Sequence, residues 1–278
     1  MTAGGSERGR IREPIADGIL YPAEEKTLTD TVTALLEAAE AERRDACGII
    51  TPHAAYEFVG PLMARAYRSA AERVIDTVII LAPIHKDNGG DILLPESRFF
   101  QTPLGVLTID QGVTKKLLGA GKPIVRDETP YQEEHAVEVQ LPFLQILFPG
   151  CSIVPVMMGR AKNRNVGILA DALKEALADR LEKTLFVATT NMSSYRPKKH
   201  SVEEAKLLTD LIDRGDASEI LQAVSNRKVS AHGALCIAVL LSLGSFQAAT
   251  LGTLSSDTLL EDRFKAIQYA AVSLFPKE

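Results

Sequence analysis

The sequence predicts an α/β fold: a single domain with a central, largely parallel sheet flanked by helices. Three observations carry that expectation. Short apolar runs rich in β-branched residues alternate along the chain with amphipathic helical segments, the pattern of strands joined by helical crossovers. The 278 residues suffice for one large domain with a substantial core. No repeat, low-complexity tract or Gly/Ser-rich linker divides the chain. Residues 11–278 are therefore expected to form one domain behind a flexible, Gly-rich and charged tail at 1–10.

The elements follow in order. Thr29 to Arg44 reads as a helix with Val32, Leu35, Leu36 and Ala39 on one face. The apolar run Cys47 to Thr51 reads as a buried strand, Phe58 to Val74 as a helix, and Thr77 to Leu81 as a second buried strand. Asp91 to Asp110 alternates more and carries turn signals at Pro95, Pro103 and Gly105, which predicts a hairpin-like insertion. Gly89-Gly90-Asp91 ahead of it reads as a turn, and a helix follows at Gln111 to Leu118. His135 to Phe148 looks helical, with Pro142 either kinking it or opening a second helix. Ser152 to Met158 is a third strand, and Pro155 argues for a sheet edge or a bulge there. Asn165 to Leu181 is an amphipathic helix and Thr184 to Thr189 a fourth buried strand. Ser201-Val-Glu-Glu204 has the pattern of a capping box opening the next helix. A helix over His232 to Leu243 precedes closing strands at Ala248 to Ser255 and Ala266 to Leu274.

Composition excludes several functions. A net charge of −5 argues against nucleic acid or a polybasic membrane role. The largest basic cluster, Arg196 with Lys198 and Lys199, is expected in a solvated loop. No apolar run approaches the ~18–20 residues of a membrane span, and the first residues lack the apolar stretch of a secretory signal. The expected location is cytoplasmic. Cys47, Cys151 and Cys236 are far apart with no CxxC spacing, so they read as three buried thiols in a reducing compartment. The nucleophile elbow GxSxG, the phosphate loop GxxxxGK[ST], the dinucleotide turn GxGxxG and the zinc-protease motif HExxH are all missing.

In open α/β sheets, ligands bind beyond the carboxyl ends of the strands. The strand at 47–51 ends in Pro52-His53, and that at 77–81 runs into Pro83-Ile84-His85. Strand 152–158 ends in Gly159-Arg160, and strand 184–189 in a polar segment through Asn191, Ser194 and Tyr195. If these strands are parallel neighbours, His53 and His85 share one rim. Imidazole is the commonest metal-binding side chain. The alternative is a pair of hydrogen-bonded structural histidines. His232 precedes Gly233 at a helix start, and His135 follows two glutamates, as a carboxylate-paired residue or as a proton relay beside the site. His200 follows two lysines and belongs on the surface.

At this point the residues resemble a known family. Residues 11–22 (IREPIADGILYP) resemble the opening segment of the Memo family, known in bacteria and archaea as AmmeMemoRadiSam system protein B. Residues 51–56 (TPHAAY) resemble its PHAGY motif, 81–86 (LAPIHK) its GPSHH motif, and 134–143 (EHAVEVQLPF) its EHSLEVQLPF block. Residues 153–156 (IVPV) and 268–271 (QYAA) continue the match, in order, over nearly the whole chain.

The resemblance implies a fold like that of class III extradiol dioxygenases, enzymes that hold non-haem iron. It puts two metal-site histidines on His53 and His85. The family's third position, a cysteine before glycine, falls on His232, which retains a metal-competent donor. Iron is the first expectation for the ion, with copper or zinc as alternatives. The chain also departs from the pattern: Asn191 and Ser194 stand at the family's Asp and His positions, Ala55 at the PHAGY glycine and Lys86 at the second histidine of SHH. A serine hydroxyl does not titrate near neutral pH, so the usual acid/base residue is replaced, and His135 or Lys86 are the candidates to substitute. Tyr56 and Tyr195 are candidate hydrogen-bond donors near the rim, with packing the other reading of Tyr56. The functional expectation is a metal-dependent oxidoreductase acting on a small-molecule or peptide ligand. The alternative is a non-catalytic interaction module with a vestigial pocket. The resemblance also implies radical-SAM and AMMECR-type partner proteins.

Overall fold

The computed structural model describes residues 9–86, 91–159, 163–258 and 264–277. The chain enters through β1 (Ile11–Arg12) and α1 (Glu25–Ala38), then β2 (Gly48–Thr51), α2 (Tyr56–Arg68) and β3 (Thr77–Pro83). Next come β4 (Ile92–Leu94), β5 (Phe99–Thr102), β6 (Gly105–Thr108), α3 (Gln111–Gly119), β7 (Ile124–Arg126) and α4 (Leu141–Leu147). The second half holds β8 (Ser152–Met158), α5 (Arg164–Ala176), β9 (Thr184–Thr189), β10 (Arg196–Pro197), α6 (Lys198–Arg214), α7 (Ala217–Ser225) and α8 (Ala234–Ser242). It closes with β11 (Phe246–Ser255), β12 (Lys265–Ala266) and β13 (Gln268–Pro276).

The main sheet has the order β11-β13-β2-β9-β3-β8-β4-β7. Its centre, β2-β9-β3-β8, is parallel throughout. Antiparallel pairs flank it, β13 on β2 and β4 on β8. Strand alternation divides the apolar residues between two cores. Val78, Ile80, Leu185 and Val187 face one side, packed with α1, α2 and α4. Ile79, Leu81, Phe186 and Ala188 face the other, under α3 and α5 to α8. Both faces being covered explains why the central strands read as continuous apolar runs. Among the described residues, no helix is long and apolar enough to cross a membrane.

Several local expectations are corrected. Helix α1 begins before Thr29 because the Glu24 carboxylate caps it, accepting from the Lys26 and Thr27 amides. It ends at Ala38 rather than Arg44, since the buried stripe Leu28, Val32, Leu36 runs out and Ala39 is extended. Helices α2 and α5 likewise end earlier than expected, and α7 was not foreseen. The segment 91–110 is only in part an insertion: β5 and β6 form a hairpin that β1 joins, while β4 enters the main sheet. Pro142 opens α4 in its first turn, after a 3₁₀ turn at Glu138–Gln140.

Pro155 lies within the sheet, not at an edge or a bulge. Residues 153, 155 and 157 direct their backbone to the side of β8 away from β3. There the Ile153 carbonyl accepts from Asp110 N, β4 pairs only with Met157 and Met158, and the Pro155 carbonyl accepts from Tyr131 Oη at 3.0 Å. No ladder crosses at Pro155, so its missing N–H leaves no bond unmade. The capping box at Ser201 does not form. Helix α6 starts at Lys198, the Ser201 hydroxyl donates back to the Lys198 carbonyl, and Glu204 turns to Ser230 and Arg196. Nor are Arg196 and Lys198 in a solvated loop: Arg196 lies in β10, and Lys198 opens α6 with an ion pair to Asp257. Gly89, Gly90 and Arg160 lie outside the described residues, as do residues 1–8 of the expected tail.

Candidate functional site

The parallel centre of the sheet gathers its strand ends on one rim. Just past β2 is His53, and just past β3 is His85, fixed by the Ile84 amide bonding to the Met158 carbonyl at 3.0 Å. His232 arrives from the other side, in the turn before α8. Gly233 is what lets that turn approach: its amide donates to Thr190 Oγ1 at 3.1 Å. A Cβ on Gly233 would lie 2.4 Å from Thr190 Cβ and 2.5 Å from the Thr189 carbonyl. His135 comes from the turn ahead of Glu138–Gln140.

These four imidazoles form one cluster. Ring centres lie 5.4 Å apart for His53 and His85 and 4.8 Å for His85 and His232, both edge-to-face. His135 stacks on His85 at 5.7 Å and stands 5.9 Å from His53. His200 is exposed, away from the cluster.

Each ring is oriented by a different partner. His53 Nδ1 meets Thr189 Oγ1 at 2.9 Å. That hydroxyl is held by Gln140 Nε2 at 3.2 Å, and Gln140 Oε1 accepts from Tyr67 Oη at 3.0 Å. His53 Nε2 is buried and has no hydrogen-bond partner among the described residues. Burial first, then the neighbouring imidazoles, push the His53 pKa down to about 3, so the ring is neutral. His85 Nδ1 lies 2.7 Å from Glu134 Oε2, a bond that raises its pKa and leaves Nε2 clear of that carboxylate oxygen. Burial would raise the Glu134 carboxyl, but the His85 bond and the charges of His85 and His135 outweigh it and bring it to about 2.

His135 Nε2 lies 3.1 Å from the His53 carbonyl, which only accepts, so Nε2 carries the proton. Burial lowers the His135 pKa. The neutral ring then presents its lone pair at Nδ1, 3.4 Å from Glu134 Oε1.

The other expected site residues spread out. Lys86 is exposed and paired with Glu133. Tyr195 is half exposed, with Lys265 Nζ 5.6 Å from its ring centre. Tyr56 is a packing residue: it is buried and its hydroxyl donates to the Val139 carbonyl at 2.7 Å, so it has no proton to offer the rim. Asn191 faces a cavity with His53 and His135, and its Oδ1 is buried without a partner among the described residues. Cys151 and Cys236 are buried, and burial pushes their thiols up to about 11 and about 12, far from reactive thiolates. Cys47 is only partly buried.

Sequence reasoning missed Arg12 and Glu138. Both are fully buried and form an ion pair. Arg12 also donates to the carbonyls of Tyr131 at 2.8 Å and Glu134 at 3.0 Å. Glu138 accepts from Ala16 N at 2.8 Å and Tyr21 Oη at 2.6 Å. The N-terminal segment thus clamps the turn that carries Glu134 and His135. The signal was a lone acid within the apolar run 136–144, since a buried charge requires a partner.

Three cavities meet at His85. One of about 520 Å³ opens between Lys86, Asp127 and His135. A second, about 540 Å³, runs past His232 to Arg227. The third, about 360 Å³, is mostly apolar, its polar lining being the imidazoles of His53, His85 and His135 with Asn191, Ser256 and Tyr269.

The family model for Memo-like protein matches residues 12–273. The chain belongs to the Memo family. Several curated relatives agree. A MEMO1 family protein of Thermotoga neapolitana is 29% identical over 266 residues, covering 90% of this chain and 96% of the relative. One of Methanococcoides burtonii is 29% identical over 80% of this chain and 83% of its own. A third, from Caldivirga maquilingensis, is 26% identical over 95% and 99%. The mainly parallel sheet covered on both faces is the dioxygenase-like α/β fold expected of a Memo protein.

The rim's donor chemistry bears on a metal in two ways. Two imidazoles sharing a first-row ion at ~2.1 Å in tetrahedral geometry have ring centres about 5 Å apart, and the spacings at His85 match that. Yet among the described residues no three His, Cys, Asp or Glu groups are arranged as they stand to hold an ion.

Proposed function

We propose that this Memo protein is a metal-binding oxidoreductase, with His53, His85 and His232 as ligands and iron as the favoured ion. The observation that carries the reading is the sealed Nε2 of His53. With Nδ1 engaged by Thr189, either tautomer leaves Nε2 unsatisfied, as a bare lone pair or as a proton with no acceptor. A buried unmet group of this kind costs about 1–3 kcal/mol, and coordination is the use a neutral imidazole offers for it. Glu134 supports the same reading, since it fixes His85 Nδ1 and leaves Nε2 as the donor. Ligation requires the rings to reorient, since among the described residues no three such groups are arranged to hold an ion as they stand.

When bound, such an ion supplies Lewis acidity and a route for electrons. The chain supplies the rest. Substrate reaches the rim through the cavities that meet at His85. Asn191, with its buried acceptor, orients a donor group on the substrate. His135 takes a proton at Nδ1, where Glu134 Oε1 stands ready to pair with the resulting cation. Ser194, whose hydroxyl bonds Ser230, takes no part in proton transfer.

Elemental analysis of the purified protein tests this. Near-stoichiometric iron, lost in His53→Ala and in His232→Ala but kept in His200→Ala, is the expected result. Metal-free protein after expression in iron-replete medium, or content indifferent to the first two substitutions, would overturn it. A metal-free protein that still bound a partner would favour the interaction-module reading.

A further inference from the structure

The cavity beyond His232 has a character the rest of the rim lacks. Arg196 and Arg227 line it, together with the first residues of α8. Helix α8 has no side-chain cap, but its first amides are engaged: Gly233 N donates to Thr190 Oγ1 and Ala234 N to the Ala231 carbonyl. Within the wall, the buried carboxylate of Glu204 is already neutralised. It is paired with Arg196 at 3.0 Å and accepts from the Ser230 amide and hydroxyl. Arg227, in contrast, carries no ion pair among the described residues.

Arg227 also occupies a backbone position that disfavours it. It follows the C-cap of α7 with φ at +56°. Its amide bonds to the Val224 carbonyl, and the Lys228 amide to that of Ala223. This is the Schellman arrangement, whose left-handed residue is usually glycine. An arginine there works against the local backbone while placing an exposed guanidinium at the mouth of the cavity. Unfavourable backbone at a cavity is a pointer to function.

We propose that this cavity binds the anionic end of the substrate, a carboxylate or a phosphate, with Arg227 as the specificity-determining cation. The 540 Å³ space is continuous with His85 and His232, so a small molecule anchored there presents its other end to the imidazole cluster. The proposal rests on the functional reading above for what happens at that other end, but not for the anion site itself.

Isothermal titration of the full chain with inorganic phosphate, with succinate and with uncharged succinamide at low ionic strength is the test. Saturable binding of phosphate, succinate or both, with none of succinamide, is expected. Which of the two binds more tightly separates a phosphate-bearing from a carboxylate-bearing substrate. Arg227→Gln and Arg227→Gly should each weaken that binding by about tenfold or more. Arg227→Gly should also melt at or above the wild-type temperature, because glycine suits the left-handed position, so a loss of binding there is not a loss of fold. His53→Ala should retain anion binding whether or not it loses metal, which keeps failure of the metal reading apart from failure of this one. No saturable binding of either anion up to about 10 mM, or binding that survives both Arg227 substitutions, would overturn the proposal.

Discussion

Glu134 and Glu138 lie four residues apart in one turn, both buried, yet their surroundings differ in kind. Glu138 is enclosed by donors that never change protonation near neutrality: the Arg12 guanidinium, the Ile15 and Ala16 amides and the Tyr21 hydroxyl. Glu134 is bonded to an imidazole at one oxygen and to amides at the other, with the His135 ring alongside. A carboxylate saturated by fixed donors can only hold the chain together. One that faces titratable rings sets their tautomers and answers their charge. The same block of sequence thus carries a structural pin and, one turn earlier, a carboxylate bonded to a titratable ring.

Substitutions should separate the two roles. The largest effect is expected from Arg12→Ala, which strands the Glu138 charge in the core. Urea unfolding should show a loss of about 3–5 kcal/mol, and a loss under about 1 kcal/mol would mean that the pair is not the pin described. Tyr21→Phe removes one hydrogen bond to the same carboxylate and should cost about 1.5–3 kcal/mol in that assay, with metal content unchanged. Glu134→Gln should sharpen the contrast by moving the other observable: metal affinity should fall about 10–100-fold while the fold persists. A drop in stability as large as that of Arg12→Ala, with affinity intact, would reverse the assignment of the two acids. Lys86→Ala breaks only the exposed pair with Glu133 and should shift stability by less than about 1 kcal/mol, leaving iron content as it was.

Much of this was legible in the sequence where burial leaves a pattern. The central strands are apolar on both faces because both faces are covered, and their order places His53 and His85 on one rim. His232 was reached through the family's glycine motif, and Gly233 shows why the motif needs that glycine. What could not be read depends on tertiary partners. Pro155 is admitted to the sheet by a gap between β4 and residue 110 that only the fold creates. The capping box at Ser201 fails because Glu204 finds Arg196 and Ser230, distant in sequence. Arg12 and Glu138 are 126 residues apart and meet only in the folded chain. Tyr56, beside the rim in sequence, spends its proton on the Val139 carbonyl.

The central claim is that three imidazoles share one ion. Anomalous diffraction from crystals of the iron-loaded protein, collected on both sides of the iron edge, tests it most directly. The account predicts a single iron peak about 2.0–2.3 Å from one ring nitrogen each of His53, His85 and His232. A peak coordinated elsewhere, or none at these three rings at full loading, would contradict it.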